Sequence, residues 1–308
     1  MYTLRIAVVA LFILLFSYGV SSAQTELLMA SGDSCVGAGS GFSTLYRVNP
    51  NNAAVEPIGP IGFRGVSGMA VLGDGRLVGS AIADAGGDFI SILIEIDPLT
   101  GAGLLIGTIG NNNDGGCGRV PDLTYDRATD TLYGIGFRCI PGNGHGNITE
   151  LLRIDQTTGL GTTIGQTGFF GGGNGLAIRS NGTLFSSTNE NFFTLNPQTG
   201  QGTLVANHPL IEIVMSAMDF SPVTGELFGI EFGFGGGVPT NLVTVNTSNA
   251  EITRIGELPV CSDALVFFGL EPRNVPTLSE WGMIAAAAGL GLVGVFFAVR
   301  RRRGAARA

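Results

Sequence analysis

Lysine is absent from this chain, and all sixteen basic residues are arginine. Charged residues of both signs make up only 13% of the sequence, and there are two histidines and one tryptophan. Each scarcity removes a class of chemistry. Gly171-Gly172-Gly173 and Gly235-Gly236-Gly237 lack the following Lys-Ser/Thr and helix of a phosphate-binding loop, which leaves them as flexible connections. His145 sits in a Gly/Asn-rich loop and His208 precedes Pro209; neither belongs to a triad or a metal-ligand cluster, and no G-x-S-x-G elbow is present. The four cysteines show no C-x-x-C spacing, which argues against a thiolate zinc site. No long amphipathic helical pattern occurs between residues 24 and 274, so the region reads as all-β.

What is abundant is glycine, with fifty residues, and one recurring pattern. A short alternating strand runs into an Asp/Asn-Pro-x-Thr-Gly turn and then a second strand. The clearest copies are Ile94-Glu95-Ile96-Asp97-Pro98-Leu99-Thr100-Gly101 and Phe193-Thr194-Leu195-Asn196-Pro197-Gln198-Thr199-Gly200. Further copies centre on Asp155, Asn49 and Asn246. Asp or Asn at the head of such a turn accepts a bond from the backbone two residues on, Pro presets φ, and Gly accepts positive φ. One carboxylate per turn is too few for a calcium loop, so these are hairpin turns.

A second hairpin follows each of the first four copies. Examples are Leu123-Thr124-Tyr125 to Leu132-Tyr133-Gly134-Ile135 and Met218-Asp219-Phe220 to Leu227-Phe228-Gly229-Ile230. Each unit therefore has four strands. Turn residues 49, 97, 155, 196 and 246 recur at 48, 58, 41 and 50 residues, a period that predicts a β-propeller. The fifth unit ends after Ala264-Leu265-Val266-Phe267-Phe268 and lacks a strand, while Glu26-Leu27-Leu28-Met29-Ala30-Ser31 supplies a matching one at the amino terminus. The expectation is five four-stranded blades, the last closed by the N-terminal strand so that no sheet edge is left open.

The same register addresses the cysteines. Cys117 and Cys139 flank one hairpin, and Cys261 and Cys35 flank its counterpart assembled from the two chain ends. Disulfides Cys35–Cys261 and Cys117–Cys139 are expected of an exported chain.

Residues 1–23 read as a secretory signal, with Arg5 before an apolar run and Ser21-Ser22-Ala23 as the site for signal peptidase. Residues 24–271 form the ectodomain. From 24 to 274 the chain carries 23 Asp/Glu against 10 Arg, a difference of −13, which argues against nucleic acid or anionic membrane surfaces as partners. No cofactor is expected. The minority possibilities are an axial metal held by Glu95, Glu150 and Glu231, as in some propeller hydrolases and lactonases, and calcium at Asn111-Asn112-Asn113-Asp114-Gly115.

After residue 272 the composition changes. A linker over 272–282 carries Val275-Pro276-Thr277-Leu278-Ser279-Glu280-Trp281-Gly282, an apolar run over 283–299 follows, and Arg300, Arg301, Arg302 and Arg303 begin the tail at 300–308. Seventeen apolar residues reach roughly 26 Å as a helix, near the lower limit for a membrane span. Trp281 suits the outer interface, and the arginines suit a cytoplasmic stop-transfer. This three-part order resembles the IPTL-CTERM sorting signal of Gram-negative bacteria, with Val275 in place of the usual Ile. The resemblance implies processing by an exosortase, first at the inner membrane and then display at the cell surface or in the extracellular matrix. The chain is the substrate in that reaction, so the motif residues are for recognition. The resulting expectation is a surface-displayed propeller that binds a glycan or protein. The alternatives are a metal-dependent propeller hydrolase and a structural surface protein without a ligand.

Overall fold

A computed structural model describes residues 25–31, 41–84, 89–109, 119–138, 148–170, 173–208, 213–233 and 240–269. The signal segment, the sorting motif, the apolar run 283–299, the Asn111–Gly115 loop and three of the four cysteines lie outside these residues. Among the described residues no helix is long and apolar enough to cross a membrane.

Among the described residues, twenty strands form five four-stranded antiparallel sheets. The amino-terminal strands are β1 (Glu26–Ser31), β2 (Thr44–Val48) and β3 (Val55–Pro60). The second blade contains β4 (Arg64–Val71), β5 (Leu77–Asp84), β6 (Phe89–Ile96) and β7 (Gly103–Thr108). The third has β8 (Asp122–Asp126), β9 (Thr131–Arg138), β10 (Ile148–Ile154) and β11 (Gly161–Phe170). The fourth has β12 (Gly173–Ile178), β13 (Leu184–Thr188), β14 (Asn191–Leu195) and β15 (Gly202–Asn207). The fifth has β16 (Ile213–Phe220), β17 (Leu227–Gly233), β18 (Thr240–Val245) and β19 (Ile252–Leu258). The last strand, β20 (Ser262–Phe268), pairs with β1 and completes the first blade in the order β20-β1-β2-β3. This is the closure expected from the repeat. The propeller unit spans Gln24–Gly269.

Each expected turn carries its bond. Asn49, Asp97, Asp155, Asn196 and Asn246 accept through Oδ1 from the N–H of Asn51, Leu99, Thr157, Gln198 and Ser248, at 2.9 Å in every case. The turn ends in a left-handed residue, which is Gly101, Gly159 or Gly200 in three blades but Ala53 (φ 58°) and Ala250 (φ 59°) in the other two. These turns also lock neighbouring blades. A Cβ on Gly59, Gly107 or Gly165 of an outer strand would collide with the carbonyl of Thr100, Thr158 or Thr199 in the next blade's turn. The glycine after the half-buried isoleucine of the outer strand is thus required by packing between blades.

The core lies between blades. Leu27, Met29 and Leu265 of the first blade pack with Ala217, Ile230 and Leu242 of the fifth. Leu28, Leu45 and Val266 pack with Met69, Leu77 and Ile94 of the second. Residues on both faces of a strand are therefore apolar, as expected of stacked sheets. The short turns share one end of the ring, here called the turn face. The opposite loop face receives the connections between blades and between second and third strands. The chain enters and leaves on the turn face, where a Cβ on Gly269 would lie 2.9 Å from Thr25 Cα.

Candidate functional site: the axial carboxylates

The innermost strands β4, β8, β12, β16 and β20 surround the axis. Their ladder partners align Gly68, Asp122, Gly175, Ala217 and Ala264 at one level, and Ala70, Thr124, Ala177, Asp219 and Val266 at the next level toward the turn face. Small residues are needed here because the strands converge: a Cβ on Gly68 would fall 2.5 Å from Asp122 Cα, and one on Gly175 would fall 2.7 Å from Met218 Cγ. Each column holds one carboxylate.

Asp122 is fully buried. Its Oδ1 accepts from Leu123 N at 2.8 Å, and its Oδ2 accepts from Leu176 N at 2.7 Å and Met218 N at 3.1 Å. One carboxylate thus joins the inner edges of three blades. Asp219 is half-buried and accepts from Phe220 N at 2.9 Å and Phe267 N at 2.7 Å, linking the fifth blade to the first. Inner-strand edges have no further strand to pair with, so their N–H groups need acceptors, and these two side chains supply them. Burial pushes the Asp122 carboxyl well above the usual range, against the pull of its three N–H bonds and aided by the nearby Asp219 charge. Loss of water around the carboxyl likewise pushes Asp219 up to about 7, opposed by its two backbone bonds and by Arg127, although part of its surface remains open.

The structure does not bring the three expected glutamates together. Glu95 lies on β6 beside Arg76 at 3.5 Å. Glu150 lies on β10, buried, and accepts from Thr163 Oγ1 at 3.2 Å. Glu231 lies on β17, gripped by Arg254 through two bonds of 2.6 and 2.9 Å. All three sit on second or third strands, one strand or more away from the axis, and each is engaged there. Among the described residues no group of three or more His, Cys, Asp or Glu is placed to hold a metal. His145 lies outside the described residues. His208 is buried at the loop-face end of the fourth blade, with Nε2 3.1 Å from Ser187 Oγ.

The sequence reading passed over Asp122 and Asp219 as sites. The available signal was each one's status as the lone charged member of a column of small or apolar residues. Cys261, the only described cysteine, carries no free thiol. It immediately precedes β20, whose Ser262 pairs with Ser31, four positions before Cys35. The pairing of Cys35, Cys117 and Cys139 lies outside the described residues.

No curated protein matches this chain in sequence. Among solved structures it is similar to a "putative 6-phosphogluconolactonase" from Bacteroides uniformis ATCC 8492, with 12% identity, 77% of this chain and 84% of that one covered, and a TM-score of 0.40. It is also similar to the periplasmic gluconolactonase PpgL of Pseudomonas aeruginosa, with 13% identity, coverage of 80% and 85%, and a TM-score of 0.42. Likeness at this level carries nothing about the activity of this chain. The carboxyl end is specific: residues 275–303 match the IPTL-CTERM motif, so a five-bladed propeller is followed here by an IPTL-CTERM sorting signal.

Proposed function

We propose that this chain is an exported propeller that is displayed at the cell surface or in the extracellular matrix after exosortase processing, and that it serves there as a binding module for a glycan or protein. The observation that carries the reading is the IPTL-CTERM motif at 275–303, separated by five residues from the propeller's last described residue, Gly269. Pro276, Thr277, Leu278, Trp281 and Gly282 act as recognition residues, the apolar run 283–299 as a transient membrane segment, and Arg300 to Arg303 as its cytoplasmic stop.

The axial carboxylates support a binding role over a channel-metal hydrolase. Asp122 spends both oxygens on backbone N–H groups of three strands, and Asp219 spends both on two. A metal would have to displace those bonds and leave buried donors unpaired, which costs about 1–3 kcal/mol for each one.

Intact-mass analysis of protein extracted from the cell surface tests the processing step. The expected mature chain lacks residues 300–308, and Pro276→Ala or Trp281→Ala leaves folding unchanged while unprocessed protein accumulates. A surface form that retains the full tail, or normal processing of both variants in a host with the matching exosortase, overturns the reading. Metal analysis of the purified ectodomain separates the hydrolase alternative, which requires a bound ion at near-stoichiometric amount.

A further inference from the structure

The loop face carries the two largely exposed aromatic rings among the described residues. Phe42 is 65% exposed and Phe170 is 66% exposed. Other large apolar side chains that face solvent, such as Leu104, Leu204 and Val223, lie on outer strands or in the short turns. Two equivalent stretches shape this face. Ile61-Gly62-Phe63-Arg64 of the first blade and Thr167-Gly168-Phe169-Phe170 of the third both turn on a left-handed glycine with a φ of 81°. Arg64 thus stands where Phe170 stands, and its guanidinium carbon lies 5.9 Å from the centre of the Phe42 ring.

Ser43 fixes the ring and the arginine relative to each other. Its N–H donates to Phe63 O at 2.8 Å, its carbonyl accepts from Ile61 N at 2.8 Å, and its Oγ accepts from Val66 N at 3.1 Å. Phe63 and Val66 bracket Arg64, so the residue that follows Phe42 holds the chain on both sides of the arginine. The clasp itself needs no aromatic. Ser91 accepts in the same way from Ile109 N and Val120 N, each at 2.9 Å, and the residue before it is the half-buried Ile90. In the first blade the same position displays a phenyl ring to water. Arg64 is exposed and no carboxylate pairs with it among the described residues, so its N–H donors are open to a ligand.

We infer that Phe42 and Arg64 form a sugar subsite on the loop face, and that it takes a pyranose bearing a carboxylate, the uronic acid class. This deepens the binding role proposed above and rests on it. The C–H bonds on the flat side of a pyranose carry slight positive charge and meet the negative face of the ring. The guanidinium presents parallel N–H donors that match a carboxylate. Attraction between cation and ring keeps the two together before the ligand arrives, so little ordering is left for binding to supply. A peptide partner would need an apolar pocket for its anchors, whereas Phe42 is a single exposed ring that follows Gly41. Residues 24–274 carry 23 Asp/Glu against 10 Arg, a difference of −13, which repels a densely charged glycan and favours one whose carboxylates are spaced singly.

Calorimetric titration of the full-length chain with cellobiouronic acid, a glucuronate linked to glucose, and with neutral cellobiose tests the subsite. The wild type is expected to bind the acid more tightly than the neutral sugar. Phe42→Ala weakens both by about tenfold and Phe42→Trp keeps both, while Arg64→Ala weakens only the acid, again by about tenfold, and so removes the preference. Both positions are exposed, so an unchanged melting temperature shows that the variants fold. No binding of either sugar, unchanged affinity in Phe42→Ala, or equal loss of both sugars in Arg64→Ala overturns the subsite. So does a glutamate-rich peptide that binds through the same two residues more tightly than the acid sugar. Tail processing is read separately by mass: a processed chain that ignores both sugars overturns the subsite alone, and sugar binding by a chain that keeps its tail at the surface overturns the display reading alone.

Discussion

The carboxylate of Asp122 and the backbone N–H of Met218 are 96 positions apart in sequence and 3.1 Å apart in space. The bond crosses from the third blade to the fifth, and the same oxygen holds Leu176 of the fourth. A ring of sheets is thereby fastened from its inside as well as by packing between faces.

Asp122→Ala removes the acceptor for two cross-blade donors that water cannot reach. At about 1–3 kcal/mol for each unpaired donor, the expected loss is roughly 2–6 kcal/mol. Asp122→Asn is also destabilising, because its amide nitrogen points a donor at one of the existing donors. Urea unfolding of the secreted chain measures both; a midpoint within error of wild type for Asp122→Ala shows that the bonds contribute nothing.

Asp219 sets an unusual pH dependence. Its carboxyl is raised to about 7 in the folded chain, so the folded state holds this proton more tightly than the unfolded state does. The contribution to stability is fully present below about pH 4 and is lost as pH rises through about 7. His208, lowered by burial, works in the other direction and removes stability as pH falls below its unfolded value of about 6.5. Thermal melts across pH 4–8 should show a smaller decline toward neutrality for Asp219→Asn than for wild type. Parallel curves would mean that Asp219 titrates in the ordinary carboxylate range.

Ala53 and Ala250 occupy left-handed turn positions that the other three blades give to glycine. A Cβ in this conformation costs about 1–2 kcal/mol, part of which is returned by the larger backbone entropy of unfolded glycine. Ala53→Gly and Ala250→Gly are therefore each expected to stabilise the protein by about 0.5–1 kcal/mol. Both alanines are buried, so a lost methyl contact offsets part of the gain at each. A fall in melting temperature for Ala53→Gly would show that the methyl, 3.1 Å from where a Gly256 Cβ would lie, is the stronger effect.

Non-reducing peptide mapping is expected to recover Cys35–Cys261 and Cys117–Cys139. The ladder supports the register, since β1 pairs with β20 and β8 pairs with β9, and each cysteine precedes or follows one of those strands in the sequence. Cys35–Cys261 closes nearly the whole domain, and in the chain-entropy model such a loop stabilises by roughly 4–5 kcal/mol. A Cys35–Cys117 or Cys139–Cys261 peptide would exclude this pairing.

The parts of the fold that could be read in the sequence are those set by local chemistry. Asp97, Asp155, Asn196, Asn49 and Asn246 announce their turns because each makes its bond two residues away. The incomplete fifth unit likewise announced its missing strand at Glu26–Ser31. Asp122 gave no such notice, because its partners are 54 and 96 positions distant and its neighbours read as an ordinary buried strand. The glutamates Glu95, Glu150 and Glu231 drew attention as charges on strands, but strand order, which decides distance from the axis, is invisible until the blades are assembled. His208 stood out only as one of two histidines.

Thr25 and Gly269 meet at one end of a single blade, with β1 and β20 side by side. Anything that pulls on the carboxyl end therefore tugs first on β20, and along the strand direction it loads the ladder from Glu26–Phe268 to Ser31–Ser262 as a whole rather than rung by rung. The outer strands of the other four blades stand clear of that path. A protein held by its tail in flowing medium would carry its load at this seam, where the chain has knitted its first strand to its last.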